Sequence, residues 1–364
     1  MSLIRLAKPR PRYAHCVVAG ICVLVLVASP FTAFGLNVEI QPSRKLGTET
    51  QSGETRQIRM AQQYGIGYLP LMIIRQNFLI EKHASALGLG NIRVTWNRYP
   101  SGKVMNDALQ AGFLDVAAGG VTPLLRLWDQ TRERVGVKGI AALSTMPLYL
   151  NTRNPNVTTI EDFTDKDRIA LPAVKKSLQA VVLQMAATQV WGTQSYARLD
   201  GLTVSMAHPN ARETMLAGNG SINSHFTSPP YAYQELLDPT IHKVLSSYDV
   251  LGGPATFTMV WSRAQFRTAN PRAFQAIFAA LQEAMEVIKK DPRFNAEVYV
   301  QQSNSGLSVD FLAKMLARPE IEFTLVPRHI MKYAKFMQRT GQIKRAPDDW
   351  KEVFFPEVYA VPGS

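Results

Sequence analysis

The stretch Ile58-Arg-Met-Ala-Gln-Gln63 alternates apolar and polar side chains in the manner of a strand. Gly65-Ile-Gly67-Tyr-Leu-Pro70 then forms a turn, and residues 71–83 carry the apolar spacing of an amphipathic helix. Ile92-Arg-Val-Thr-Trp96 is a second strand, ended by Pro100-Ser101-Gly102. A helix follows through Leu109, then the short run Asp115-Val-Ala-Ala118 and the pair Gly119-Gly120. Strand, glycine turn, helix and strand again is the order of a parallel α/β sheet.

The order returns further along with different loops. Arg168-Ile-Ala-Leu171 is a strand stopped by Pro172, residues 175–190 a long helix, and Leu202-Thr-Val-Ser-Met206 the next strand. A short helix over 210–216 leads to the strand Ser221-Ile-Asn-Ser-His-Phe226. Asn270-Pro271 opens another helix, because proline suits the first helical turn. Its Phe274, Ile277, Phe278, Leu281, Met285 and Ile288 make one apolar stripe for core packing. Helices are expected over 309–317 and 327–340, ahead of an aromatic C-terminal tail.

Composition sets the outer limits. The chain has 364 residues, 46% hydrophobic and 19% charged, with a formal charge of +12. That length fits two globular units, and the apolar fraction excludes a wholly disordered chain. Two cysteines cannot build a disulfide scaffold or a four-thiolate zinc site.

Part of the charge sits in a segment of its own. Arg5, Lys8, Arg10 and Arg12 form a basic head without an acidic residue. An uncharged apolar run from Cys16 to Ala28 follows, then Pro30 and the small-x-small site Ala33-Phe34-Gly35. These are the parts of a secretory signal, read here as residues 1–35. A permanent anchor is the other reading, but Pro30 interrupts the run and a spanning helix needs about 20 apolar residues. Cleavage near Gly35 would remove four basic residues, lowering the charge from +12 to +8, and both Cys16 and Cys22. Residues 36–57, rich in Gln, Ser, Thr, Glu and Gly, read as a flexible linker.

Several chemistries lack their motifs. The basic residues are scattered, with no Arg-rich arm or zinc-finger spacing, so nucleic acid is not an expected partner. There is no phosphate loop and no Gly-x-Ser-x-Gly nucleophile elbow, and Gly65-x-Gly67 lacks the third glycine of a dinucleotide fingerprint. His83, His208, His225, His242 and His329 stand apart, without metal-ligand spacing. No catalytic residue, metal or cofactor is expected.

Five motifs occur together in order: Gly67-Tyr68-Leu69-Pro70-Leu71, Pro100-Ser101-Gly102, Ala111-Gly112-x-x-Asp115, Gly119-Gly120-x-x-Pro123, and Thr158-Thr-Ile-Glu-Asp-Phe163 ahead of Ile169-Ala-Leu-Pro172. With them the chain, from about Ile58 to about Phe354, resembles the substrate-binding proteins of ABC importers for nitrate, sulfonates, taurine and thiamine-precursor pyrimidines. The resemblance implies a type II periplasmic-binding-protein fold, an α/β architecture of two lobes, each a mainly parallel sheet flanked by helices. Lobe 1 would comprise 58–150 and 253–364, and lobe 2 would comprise 151–252. The chain would cross between them near 147–152 and 252–257, with Gly252-Gly253-Pro254 in the hinge.

A ligand in such a sheet sits beyond the carboxyl ends of the strands, where helix N-termini offer free N–H groups. Gly67, Ser101, Gly119, Gly120 and Thr122 occupy such turns in lobe 1, with Tyr68 and Phe257 as candidate walls and Ser144 as a further hydroxyl. In lobe 2 the equivalent turn carries Lys175, Lys176 and Ser177, where relatives commonly have Gly-Ser-Ser or Gly-Ser-Thr. Either lysine could pair with a carboxylate or sulfonate. His225 or Thr227 is a further contact, and a packed core histidine is the equal alternative for His225.

The function implied is a periplasmic, monomeric receptor that captures a small anionic or polar solute and hands it to an ABC permease and its ATPase. An enzyme of the same architecture acting on a pyrimidine or related molecule is the alternative. A sensory protein that reports to a membrane partner is a third.

Overall fold

The computed structural model describes residues 53–218 and 220–364. The expected signal at 1–35 and the expected linker up to residue 52 lie outside the described residues. Gln57 already pairs in the first strand.

Two five-stranded sheets organise the chain. The strands are β1 (Gln57–Gln62), β2 (Arg93–Arg98), β3 (Val116–Gly120), β4 (Val137–Thr145), β5 (Tyr149–Thr152), β6 (Ile169–Leu171), β7 (Thr203–Ser205), β8 (Ser224–Thr227), β9 (His242–Ser246) and β10 (Thr256–Arg263). Lobe 1 has the order β2-β1-β3-β10-β4, lobe 2 the order β7-β6-β8-β5-β9. In each sheet four strands run one way and one runs against them. The reversed strands are β10, antiparallel to β3 and β4, and β5, antiparallel to β8 and β9. Each is the strand on which the chain arrives from the other lobe.

Burial explains the strand order. Every residue of β3, Val116-Ala-Ala-Gly-Gly120, is buried, as suits a central strand covered on both faces. At the edge, β2 exposes Arg93 and Asn97 and half-buries Val94 and Trp96. Asp115, at the foot of β3, accepts from the backbone N–H of Arg59 at 2.9 Å and from its guanidinium at 2.9 and 2.7 Å. That fork clamps β1 to β3 and accounts for an acidic residue at the end of the Ala111-Gly112 motif.

Helix ends depart from the sequence spacing at two places. The helix expected over 71–83 is two, Leu69–Gln76 and Leu79–Ala86. They are separated by Phe78, whose left-handed φ of 50° ends the first and starts the second. The helix expected from Lys175 starts at Leu178 and runs to Trp191, because Ser177 caps it and Lys175 itself adopts φ 61°. The stripe on Pro271–Lys290 packs as anticipated, with Phe274, Ile277, Leu281, Met285 and Ile288 buried. The C-terminal tail covers lobe 1: Phe355 N–H donates to the Gly139 carbonyl at 2.8 Å, and its ring meets Phe274 edge-on. Among the described residues no helix is long and apolar enough to cross a membrane.

Candidate functional site

Helix N-termini from both lobes converge on one small cavity. Tyr68 precedes the helix Leu69–Gln76, Gly102 opens Gly102–Gln110, and Gly120 precedes Val121–Thr131. Across the cleft, Ser177, Leu178 and Gln179 begin Leu178–Trp191, and His208 begins His208–Ala217. All of these residues line the cavity, together with Gln63, Tyr64, Pro100, Pro123, Pro172 and Phe257. Its volume is about 30 Å³, room for a water or two between closed lobes. The N-termini of four of these helices give it free N–H donors and positive dipole ends, whereas Leu69–Gln76 continues a 3-10 turn and its Leu69 N–H donates to the Ile66 carbonyl.

Backbone groups hold the lobes together. Ile66 N–H donates to the Pro229 carbonyl at 3.2 Å. Thr122 Oγ1 donates to the Lys176 carbonyl at 3.4 Å, and Arg126 to the Lys175 carbonyl at 3.0 Å. Arg126 also donates to the Gln342 carbonyl at 3.2 Å, while the Gln342 amide reaches Gln184 at 2.8 Å. Gln342 thereby joins a lobe 1 helix to a lobe 2 helix. Beyond Tyr64 a second cavity of about 170 Å³ opens, lined by Arg98, Arg212, Tyr231 and Tyr299 among others. Its lining carries two guanidinium groups and one carboxylate, Glu213, which lies 3.3 Å from Arg212.

The wall contributed by lobe 2 has a buried polar layer behind it. His208 Nε2 lies 3.1 Å from the Gln179 amide nitrogen, and His208 Nδ1 lies 2.9 Å from His225 Nε2. His225 Nδ1 lies 2.5 Å from Glu235 Oε1, and the Asn151 amide donates to Glu235 Oε2 at 2.9 Å. Thr227 Oγ1 is 3.1 Å from His208 Nδ1. Glu235 and His225 are fully buried. Burial, with His225 alongside, holds the His208 imidazole well below the usual histidine range, so it is neutral. Tyr231 stacks on His208 at 5.7 Å between centroids, and burial pushes its phenol up to about 12.

Of the residues named from sequence, the structure brings Tyr68, Gly120, Ser177 and Phe257 to the cavity. Ser101 sits between two lining residues, Pro100 and Gly102, and its side chain makes no cap bond to its helix. Gly67 and Gly119 lie one layer deeper, where a Cβ would stand 2.7 Å from the Phe257 ring and 2.6 Å from Gln63 Nε2. Thr122 closes the cleft rather than lining it.

Three placements differ from expectation. Lys175 and Lys176 are exposed and do not line this cavity: their carbonyls accept from Arg126 and Thr122, and Lys176 lines a separate interlobe cavity of about 180 Å³ with Lys103, Asn106 and Arg126. Ser144 is in the sheet of lobe 1: it donates to Thr258 Oγ1 at 2.6 Å, which in turn donates to the Gly67 carbonyl at 2.8 Å. His225 and Thr227 stand behind His208, not at the surface of the cavity. Sequence reasoning missed Gln179 and His208. The signal for His208 was its place beside Pro209, at the first turn of a helix following a strand.

A model of the NMT1-like family matches residues 51–301. A search of curated proteins returns no match for the chain. Among solved structures, the alkanesulfonate-binding protein SsuA from Xanthomonas axonopodis pv. citri, bound to MOPS, superposes with a TM-score of 0.64 at 18% identity, covering 84% of this chain and 98% of that one. The periplasmic aliphatic sulphonate binding protein SsuA from Escherichia coli gives 0.59 at 16% identity, covering 82% and 98%. The periplasmic nitrate-binding protein NrtA from Synechocystis PCC 6803 gives 0.56 at 14%, covering 71% and 69%. At such identities the likeness is one of fold.

Proposed function

Since the chain belongs to the NMT1-like family, we propose that it is an exported solute receptor of an ABC importer, taking a small anionic or polar organic solute between its lobes. One observation carries this reading: four helix N-termini with free N–H groups, two from each lobe, line a single closed cleft. A negative or strongly polar group there accepts from free N–H groups without needing a fixed cation. The names of the similar structures, sulfonate-binding and nitrate-binding, support an oxyanion-bearing cargo. Arg98 adds positive charge at the neighbouring cavity, where Arg212 is paired with Glu213.

In this proposal residues 1–35 direct export to the periplasm. Lobe 1 (58–150 and 253–364) closes on lobe 2 (151–252), and the monomeric closed form docks on a permease served by an ATPase. The ligand contacts are Tyr68, Gly120 and Ser177, with Ser101 beside them and Gly67, Gly119 and Thr122 supporting the closed cleft. Binding involves no chemistry.

A thermal-shift screen of sulfonates, nitrate, aromatic carboxylates, amino acids and pyrimidines tests the reading. A ligand at 100 times its dissociation constant adds about 2.7 kcal/mol of stability. A saturable hit recovered chemically unchanged is the expected outcome. A hit recovered altered would instead carry the enzyme reading, which draws on the imidazole–carboxylate chain behind Gln179.

A further inference from the structure

From Asn151 to Gln179 the hydrogen bonds behind lobe 2's wall form one directed chain, with Thr227 Oγ1 beside it at 3.1 Å from His208 Nδ1. The Ala232 carbonyl, an acceptor only, takes one N–H of the Asn151 amide at 3.0 Å, which fixes that amide's orientation. Its other N–H donates to Glu235 Oε2 at 2.9 Å. A carboxylate oxygen accepts, so with Glu235 as the acceptor His225 Nδ1 carries the proton between them. A ring with one proton, on Nδ1, leaves Nε2 to accept from His208 Nδ1–H. Neutral His208 in turn has a bare Nε2, and the atom facing it is the Gln179 amide nitrogen, a donor. The Asn151 end is fixed by the Ala232 carbonyl, and the Gln179 amide nitrogen opposite His208 Nε2 matches the direction that follows from it.

Gln179 and His208 line the cavity, while Glu235 and His225 do not. The geometry points to Glu235 as a remote specificity determinant: acting through His225, it makes the Gln179–His208 wall an acceptor, so that this side of the cleft selects solutes carrying an N–H donor. This rests on the proposed receptor function and narrows it. Helix N-termini offer donors to the acidic end of a solute, and the Gln179 carbonyl, left over once its N–H is bound to His208 Nε2, offers an acceptor to a donor elsewhere on it. Gln179 is the group that would meet the solute, and His208, His225 and Glu235 are positioning residues.

Glu235→Gln gives a directional test. Ala232 still fixes Asn151, so Asn151 still donates, and the carbonyl oxygen of the new amide faces it. The new amide nitrogen then faces His225 Nδ1, which must accept. His225 donates from Nε2, His208 accepts at Nδ1 and donates from Nε2, and the Gln179 amide turns over. One isosteric change inverts two tautomers, which a merely structural role for Glu235 would not do.

Nitrogen-15 spectra of the histidine rings in the full chain, assigned with His208→Gln and His225→Gln, read this without any ligand. Both rings as Nδ1–H tautomers in the wild type, and both as Nε2–H in Glu235→Gln, is the expected result. An Nε2–H tautomer at His208 in the wild type overturns the inference, whether or not the variant folds. Calorimetry with 2-aminoethanesulfonate and ethanesulfonate reads the selectivity. The wild type should favour the amino compound by about tenfold, the worth of one hydrogen bond to a charged group, and Glu235→Gln should lose that preference. An equal preference in both proteins overturns the selectivity. Binding of neither sulfonate counts against the receptor reading, and the tautomers still decide the direction of the chain.

Discussion

Gly120 and Leu178 meet across the cleft so closely that a Cβ on Gly120 would stand 3.0 Å from the Leu178 Cβ. The two residues belong to different lobes, and each flanks the start of a helix that points at the cavity. Gly120 has φ −73°, a conformation open to any residue. Its small size therefore serves closure, not backbone freedom.

Gly120→Val accordingly leaves lobe 1 folded and props the cleft open. Overpacking of this kind costs about 1–3 kcal/mol, here charged to the closed form. Small-angle scattering should show a larger radius of gyration, and ligand affinity should fall about tenfold or more. A variant as compact as the parent would show that Leu178 simply moves aside.

Ser177 has two jobs, lining the cavity and capping Leu178–Trp191 by accepting from Ala180 N–H at 3.2 Å. Ser177→Ala should lower unfolding stability by about 1 kcal/mol in a urea titration. Binding should weaken beyond what that loss explains, which Ser246→Ala, at a cap in lobe 2 that does not line the cavity, controls for.

His208 links stability to acidity. Its folded form resists protonation because it is buried, whereas the unfolded chain takes up a proton near 6.5. Below that pH the unfolded state binds more protons, so stability falls as pH drops from 7 to 5. His208→Gln should flatten this part of the profile. Equal slopes in denaturant titrations of the two proteins would exclude His208 as the source.

Asp162 acts at lower pH. The backbone N–H groups of Thr159 and Thr158 donate to its carboxylate at 2.8 Å each and hold it down to about 2, from an ordinary 3.8. Its contribution is present above the ordinary value and vanishes as pH falls through the folded one. Asp162→Ala should be less stable than the parent at pH 6, and the gap should close between about pH 4 and 2.

Much of this arrangement was legible in the chain. Alternation at Ile58–Gln62, glycines at 67, 102 and 119–120, and Pro271 at a helix start each have a local physical cause, so the recurring parallel α/β pattern follows from spacing, while two lobes around a cleft were implied by the family resemblance. What was not legible is what the sheets bring together. His208 and His225 are 17 residues apart along the chain and share no motif. They meet because β8 pairs with β6, and the helix after β7 lays His208 over it. Phe78 hid a helix break, since an apolar side chain does not announce a left-handed backbone. The lysines drew attention by charge, whereas the nearby serine, an ordinary cap residue, decided where the helix begins.

The place of β10 between β3 and β4 sets the order in which the molecule can be assembled. A nascent chain that has only reached Thr145 has four of the strands of lobe 1 and a gap where β10 belongs. Thr256 ends up opposite Thr145, with the whole segment 146–255 between them. Closing a flexible loop of that length costs about 4 kcal/mol, and high sequence separation slows folding. Folding of lobe 2 within that segment brings its two ends side by side and turns the long closure into a short one. The inserted lobe is therefore expected to form first, acting as the template on which lobe 1 completes itself.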